Sequence, residues 1–427
     1  MLRTRLALAV LLTACGPRSH KAPAQATSAP AAPAPDSGPP EAFSDVARRL
    51  VAHSARLRDG DLVLLSGGDA DLPLLEDLAI EARKLGADPL VSVQSEGYLR
   101  RGYDDVPARY DGRTGELSRR LTEFLTAMIF VESNPSDTVL RGVPPSRIAA
   151  RLAAMQPALA LAERRNIRRV SLGNGLYPTE ERARSFGMTR AALADVFWRG
   201  VNVDYDALQA SGADIRRHLA RGKAVRLTHP NGTDLTMRIA GRPVLVSDGV
   251  ISPEDERAGG AATSVWLPAG EVFLTPVPGT ANGTVMVDHY LWQGRSIEKL
   301  RLEFEQGRLT GMSAASDMAA LQAFYDAAPA AKDELGVLDV GINPNVIIPN
   351  GSRLAAWMPA GMVTLVVGAN DWAGGTNHAV SGVAPFLPGS TLLVDGVPLV
   401  KDGRLAMPQP VALVGYVAGG EVGARAE

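Results

Sequence analysis

The chain has 427 residues, more than one hydrophobic core usually organises, and its 46% apolar content is enough for two. Lysine and arginine total 44 against 46 aspartates and glutamates, a formal charge of -2, so the chain offers no general attraction for nucleic acid or an anionic membrane surface. Its single cysteine, Cys15, excludes an internal disulfide and a thiolate metal site.

The chain opens on MLRTRLALAVLLTAC, where Arg3 and Arg5 precede an apolar run from Leu6 to Leu12 and the tetrapeptide Leu12-Thr13-Ala14-Cys15. This pattern resembles a bacterial lipoprotein signal occupying residues 1–15, cut before Cys15, whose thiol then carries lipid. Several acyl chains anchor stably where one binds only marginally. Gly16 after the cysteine resembles proteins passed to an outer membrane, so the expected location is the cell envelope. Residues 16–42 are rich in proline, alanine, serine and glycine and carry few large apolar side chains. Such a segment buries too little surface to order itself and is predicted to be a tether.

An α/β domain is predicted over residues 43–222. Val46, Leu50, Val51 and Ala55 are spaced as a helix, LVLLSGG as a short buried strand, LPLLEDLAIEARKLG as a second helix and PLVSV as a second strand. Strand, helix, strand with short turns implies a parallel sheet. The SGGDAD turn matches neither GxGxxG nor GxxxxGK[ST], which points to a tight turn rather than a phosphate cradle. Further helices are predicted near 146–166 and 189–221. After Gly222 the pattern changes to short alternating runs, AVRLTHPNGTDLTMRI, GTVMVDHYLW and LRLEFEQGRL, which read as antiparallel strands. The boundary is placed at Lys223, with residues 223–427 forming a mostly β domain.

Several stretches in this order, GADPLVSV, VDYDAL, VRLTHPNGTDLTMRI, WLPAGEVFLTPVPGTANGTVMVD, DELGVLDVGINPN and TLLVDGVPLVKDGRL, together resemble the thermophilic aminopeptidases typified by aminopeptidase T. The resemblance implies an N-terminal α/β domain, a mostly β C-terminal domain with the metal site, dimers, and release of N-terminal residues from peptides. It also implies two divalent ions, zinc, cobalt or manganese, held by two glutamates, two histidines and an aspartate. One ion would ionise a water and the other polarise the scissile carbonyl. The family's first glutamate carries over to Glu271 in LPAGEVF and its second to Glu334 in DELGVLDVGINP.

The other three positions depart from the pattern. The first histidine falls on Thr364 in GMVTLVVG, and the HxD pair falls on Gly382 and Ala384; the family's active-site tyrosine falls on Asp371. His378 in GGTNHAVSG is a candidate replacement ligand, Asp371 an added carboxylate, and His289 in MVDHYLW a remote alternative. Two glutamates without imidazole hold a zinc-like ion weakly, so little or no bound metal is expected. Without a cation, Glu271 and Glu334 facing each other would share a proton. HExxH and GxSxG are absent, and Ser296–Lys299 fits SxxK only as a chance match within a strand.

Three readings remain open on the sequence. The first is a lipid-anchored metalloaminopeptidase with a rewired site. The second is a binding protein for a peptide or small molecule that does not hydrolyse it. The third is an enzyme like the iron-dependent dihydroxypyridine dioxygenases, which resemble this family but need ligands in the same altered region.

Overall fold

The structure, a computed structural model, describes residues 43–113, 115–133, 139–140, 142–292, 295–326, 331–377 and 382–406. Helix α1 (Ser44–Arg49) leads through a wider turn whose Leu50, Val51 and Ser54 are buried. Strand β1 (Leu62–Gly68) and helix α2 (Leu72–Lys84) follow; α2 has a proline in its first turn and buries Leu74, Leu75, Leu78 and Ala82, the spacing of one helical face. Next come β2 (Asp88–Gln94), α3 (Glu96–Asp104), α4 (Glu116–Phe124), β3 (Ala127–Val131), α5 (Pro145–Arg164) and β4 (Arg168–Leu172). Helices α6 (Glu180–Ser185), α7 (Arg190–Val201) and α8 (Tyr205–Arg221) complete this half. The predicted helix over 189–221 is therefore two. The chain breaks after Val201 because Asp204 caps a new helix, its side chain accepting from the Ala207 N–H at 3.1 Å.

The second half contains β5 (Ala224–His229), β6 (Thr233–Arg238), β7 (Val244–Ser247), α9 (Pro253–Ala258), β8 (Ser264–Leu267) and β9 (Glu271–Leu274). It continues through β10 (Asn282–Trp292), β11 (Arg295–Glu305), β12 (Arg308–Ser313), α10 (Ala319–Asp326), β13 (Leu335–Gly341) and β14 (Val363–Gly368). Short strands β15 (Gly382–Val383), β16 (Phe386–Leu387), β17 (Thr391–Val394), β18 (Val397–Lys401) and β19 (Arg404–Leu405) end the described chain.

The strands form a parallel sheet in the order β2-β1-β3-β4-β8, and two antiparallel sheets, β12-β11-β10-β6-β5-β17-β18-β19 and β15-β14-β13-β9-β7. An α/β half with a parallel sheet followed by a mostly antiparallel β half is the architecture expected from the sequence. One boundary feature differs. The fifth strand of the parallel sheet, β8, comes from beyond Lys223 and pairs with β4 in the register Arg169↔Ser264 to Leu172↔Leu267. A four-residue strand is too short to declare its sheet by periodicity, so the sequence pattern alone places it with the β half.

In the smaller antiparallel sheet every residue of β9, β13 and β14 is buried. Both faces are covered, which explains the nearly continuous apolar runs EVFL, LGVLDVG and VTLVVG. Against that background the polar residues Glu271, Asp339 and Thr364, each fully buried, mark the place where the sheet does something besides packing.

Candidate functional site

Glu271 starts β9, opposite Ser247 of β7 and Gly341 of β13. Two residues further along β9, on the same face, a second row crosses the sheet: Leu245, Phe273, Asp339, Thr364 and Phe386, each in register with the next. The row is held from above by aromatic rings. Phe273 touches Trp372 with centroids 5.4 Å apart, Trp372 touches Trp357 at 6.3 Å, and Trp357 touches Phe386 at 5.2 Å. This chain of rings links Phe273 to Phe386, with Asp339 and Thr364 between them. Neither Thr364 Oγ1 nor Ser247 Oγ has a hydrogen-bond partner among the described residues.

Glu271 is reached from the parallel sheet. Asn174, in the Gly173-Asn174-Gly175 turn after β4, donates from Nδ2 to Glu271 Oε1 at 2.8 Å and to the Pro268 carbonyl at 3.0 Å. Asn174 has a left-handed backbone (φ 44°), which asparagine tolerates better than most residues. Gly173 is required because a Cβ there would lie 2.5 Å from the Glu132 Cβ. This turn was missed in the sequence, although glycines flanking an asparagine just after an apolar strand are a legible signal.

The second glutamate lies elsewhere. Glu334 stands before β13, forms a lone bridge with Arg308 and accepts at Oε2 from Asn377 Nδ2 at 3.0 Å. The residue opposite Glu271 is Gly341, at the other end of β13. The length of that strand, at about 3.3 Å per residue, separates the two glutamates by roughly 20 Å. They do not face each other, so the shared proton expected of them has no geometric basis. The acid that shares a face with Glu271 is Asp339, inside the run LGVLDVG, and its signal was a charge within an otherwise apolar strand.

The remaining predicted positions bring no ligand to Glu271. Thr364 lies in the row, but as a hydroxyl. Gly382 packs so closely on β14 that a Cβ would come within 2.6 Å of the Val367 carbonyl oxygen. Ala384 is buried with no polar side-chain atom. His378 lies outside the described residues, as does Cys15. Asp371 begins a short turn, Asp371–Ala373, beside Trp372. His289 is on the other antiparallel sheet, its Nδ1 lying 2.5 Å from a Glu298 carboxylate oxygen on an exposed surface. Ser296 donates to Glu298 at 2.6 Å while Lys299 pairs with Asp288, so the SxxK residues are separately engaged.

Among the described residues no group of three or more histidines, cysteines, aspartates and glutamates is arranged to hold a metal. A two-ion centre needs several anionic and imidazole donors converging on one space. Here indole and phenyl rings bridge that space, and the nearest donors are the carboxylates of Glu271 and Asp339 and the hydroxyls of Ser247 and Thr364. These residues do not fit the two-metal centre that the family implies.

A second polar cluster lies at the carboxyl ends of the parallel strands, where α/β sheets commonly bind ligands. Asp71, in the SGGDAD turn, is buried and accepts from the Gly68 N–H at 2.8 Å, from Ser133 Oγ and from Tyr177 Oη at 2.6 Å. The turn's own carboxylate thus occupies the place a bound anion would take. Gly67 permits this closure, since a Cβ there would already lie 3.1 Å from Asp71 Oδ2. Burial, with the Asp71 charge beside it, raises the Tyr177 phenol well above its ordinary range. Burial also raises the neighbouring Glu132 carboxyl, against the pull of Arg182 and a hydrogen bond from Ser171.

Residues 41–336 match the model of the thermophilic metalloprotease family, the M29 peptidases. The chain belongs to this family. That match bears out the resemblance carried by the sequence motifs and assigns a metal-dependent aminopeptidase-like scaffold. No curated protein matches the chain in sequence. Among solved structures, wild-type AmpT from Thermus thermophilus is 17% identical with a TM-score of 0.64, covering 86% of this chain and 99% of its own. The 2,5-dihydroxypyridine dioxygenase from Pseudomonas putida KT2440 is 12% identical with a TM-score of 0.59, covering 86% of this chain and 97% of its own. At such identities the likeness is one of fold. The M29 membership implies a divalent cofactor for the family, while this chain's residues at the inherited positions are those described above.

Proposed function

We propose that this chain is a lipid-anchored member of the family that uses the aminopeptidase scaffold to bind a peptide or small molecule without two-metal hydrolysis. The observation that carries this reading is the row Phe273–Asp339–Thr364–Phe386 beneath its bridge of rings. A threonine hydroxyl stays protonated at neutral pH and cannot replace imidazole as a ligand to zinc, cobalt or manganese. Gly382 and Ala384 supply no donor at all. Glu271, in turn, is held by the neutral amide of Asn174, a partner suited to orienting a carboxyl group. Among the described residues no helix is long and apolar enough to cross a membrane. The proposed membrane attachment therefore rests on the Leu-Thr-Ala-Cys motif at Cys15.

The test uses the full chain purified in detergent. Elemental analysis should find far less than one equivalent of zinc, cobalt, manganese or iron. Aminoacyl reporter peptides should not be turned over when these metals are added. Glu271→Gln, which leaves an oxygen able to accept from Asn174, should change stability by no more than about 1 kcal/mol. In a working metallopeptidase the same substitution removes charge from the metal's ligands, so it would abolish turnover and release metal. Metal-dependent hydrolysis that is lost in Glu271→Gln would overturn the reading.

A further inference from the structure

Two consecutive arginines on β4 have opposite fates. Arg168 is buried and fully engaged, donating to Asp61 and to the carbonyls of Ala55 at 3.0 Å and Arg56 at 2.5 Å. Arg169, on the other face of the strand, has no hydrogen-bond partner for its Nε among the described residues. It lines a pocket of about 180 Å³ with Glu163 of α5, Ser264 and Trp266 of β8, and Asp371 and Trp372 of the turn after β14. Ser264, its register neighbour, likewise has no partner for Oγ among the described residues. Burial lowers the proton affinity of Arg169 and the Glu163 charge opposes that effect, yet an arginine remains charged at neutral pH.

A part-buried guanidinium whose Nε–H has no partner is costly unless something else satisfies it, and planar carboxylates fit its donors best. The rest of the lining narrows the choice. A simple anion on Arg169 would meet Glu163 and Asp371, and a simple amine would meet Arg169. A molecule carrying both charges satisfies both sides. The two indoles and the small residues Ala261 and Gly375 leave the remaining wall suited to an apolar side chain. A cavity of about 150 Å³ holds one benzene-sized molecule, so this space takes one small molecule rather than a peptide.

We infer that the pocket between α5, β8 and the Asp371–Ala373 turn binds a free zwitterionic α-amino acid with an apolar side chain, its carboxylate on Arg169 and Ser264 and its ammonium toward Glu163 and Asp371. This names a ligand class for a pocket that adjoins the Glu271 row, sharing Trp372 with its bridge of rings, but uses neither Glu271 nor Asp339. Loss of the inference leaves the metal test above unchanged.

Three matched ligands test it on the full chain in detergent, by calorimetry and by tryptophan fluorescence, which Trp266 and Trp372 should report. They are L-leucine, its amine-free analogue 4-methylpentanoate, and its carboxylate-free analogue 3-methylbutylamine. Leucine should bind saturably and at least about tenfold more tightly than either analogue. Arg169→Met should weaken leucine at least about tenfold while leaving the ligand-free melting temperature equal or higher, because it removes a part-buried charge whose Nε–H has no partner among the described residues. Glu163→Gln, on a helix surface, should fold normally and erase most of the preference for leucine over 4-methylpentanoate. Absence of saturable leucine binding, equal binding of the analogues, or an Arg169→Met protein that binds normally or melts lower than wild type would overturn the proposal. So would an unaltered preference in Glu163→Gln.

Discussion

Asp248 shows how a single residue at the edge of the smaller antiparallel sheet is held in an unfavourable state. Its Oδ1 accepts from the Val250 N–H at 3.1 Å, and the turn is tight enough that a Cβ on Gly249 would strike the Tyr205 ring at 2.3 Å. Burial pushes its carboxyl up to about 6, the hydrogen bond from Val250 opposing and the Asp255 charge adding to it. A raised carboxyl in the folded state favours folding below the unfolded value near 3.8, and that contribution is lost as pH rises through about 6. The ionised group therefore costs the native state up to about 3 kcal/mol at pH 8, less where solvent reaches it. Asp248→Asn retains the acceptor for Val250 and should raise stability by about 1–2 kcal/mol at pH 8 and by nothing measurable at pH 4, read from denaturant midpoints. Equal destabilisation at both pH values would mean that the hydrogen bond, not the charge, governs this position. Neither this perturbation nor the role of Asn174 was legible in the sequence, because both depend on which loop closes over a residue. Glu271 was legible because a motif marked it, whereas Glu334 was chosen over Asp339 by residue type, although Asp339 lies five residues nearer the GINP end of the same motif and on the face of Glu271.

At the scale of elements, the amphipathic helix α2 and the apolar strand β1 stand where their periodicity places them, because each buries a face set by local spacing, while β2 stands at the predicted place as an edge strand with Leu90, Val91 and Val93 exposed. Strand β8 shows where that information stops. Its four residues join the parallel sheet by pairing with β4, a contact set by the whole fold, and β9 follows at once into the antiparallel sheet. Only Pro268 to Gly270 separate the two strands, so the two halves of the chain are stitched together at the point where Asn174 meets Glu271. Buried residues from both halves also form one continuous cluster, from Ala47 to Val400. The halves should consequently unfold as a single cooperative unit, giving one calorimetric transition whose van't Hoff and calorimetric enthalpies agree. Proteolysis near Lys223 should not release a stable fragment. Two separable transitions, or a folded product ending near that residue, would show that the β8 stitch is weaker than its position implies.

For the whole molecule, the proposed location follows from the sequence of residues 1–42. A net charge of -2 gives the chain no electrostatic reason to sit on an anionic membrane. The attachment we propose is covalent, through lipid on Cys15 at the end of the Leu-Thr-Ala-Cys motif. The proline-rich composition of residues 16–42 is that of a tether between such an anchor and the folded unit. In cells with lipoprotein processing, wild type should fractionate with membranes, incorporate labelled fatty acid and be extracted only by detergent. Cys15→Ser should lose the label, accumulate as the longer precursor and keep its folded part intact. A Cys15→Ser protein that is cleaved normally and released in soluble form would show that the N-terminal segment is an ordinary secretory signal, and that the cysteine carries no lipid.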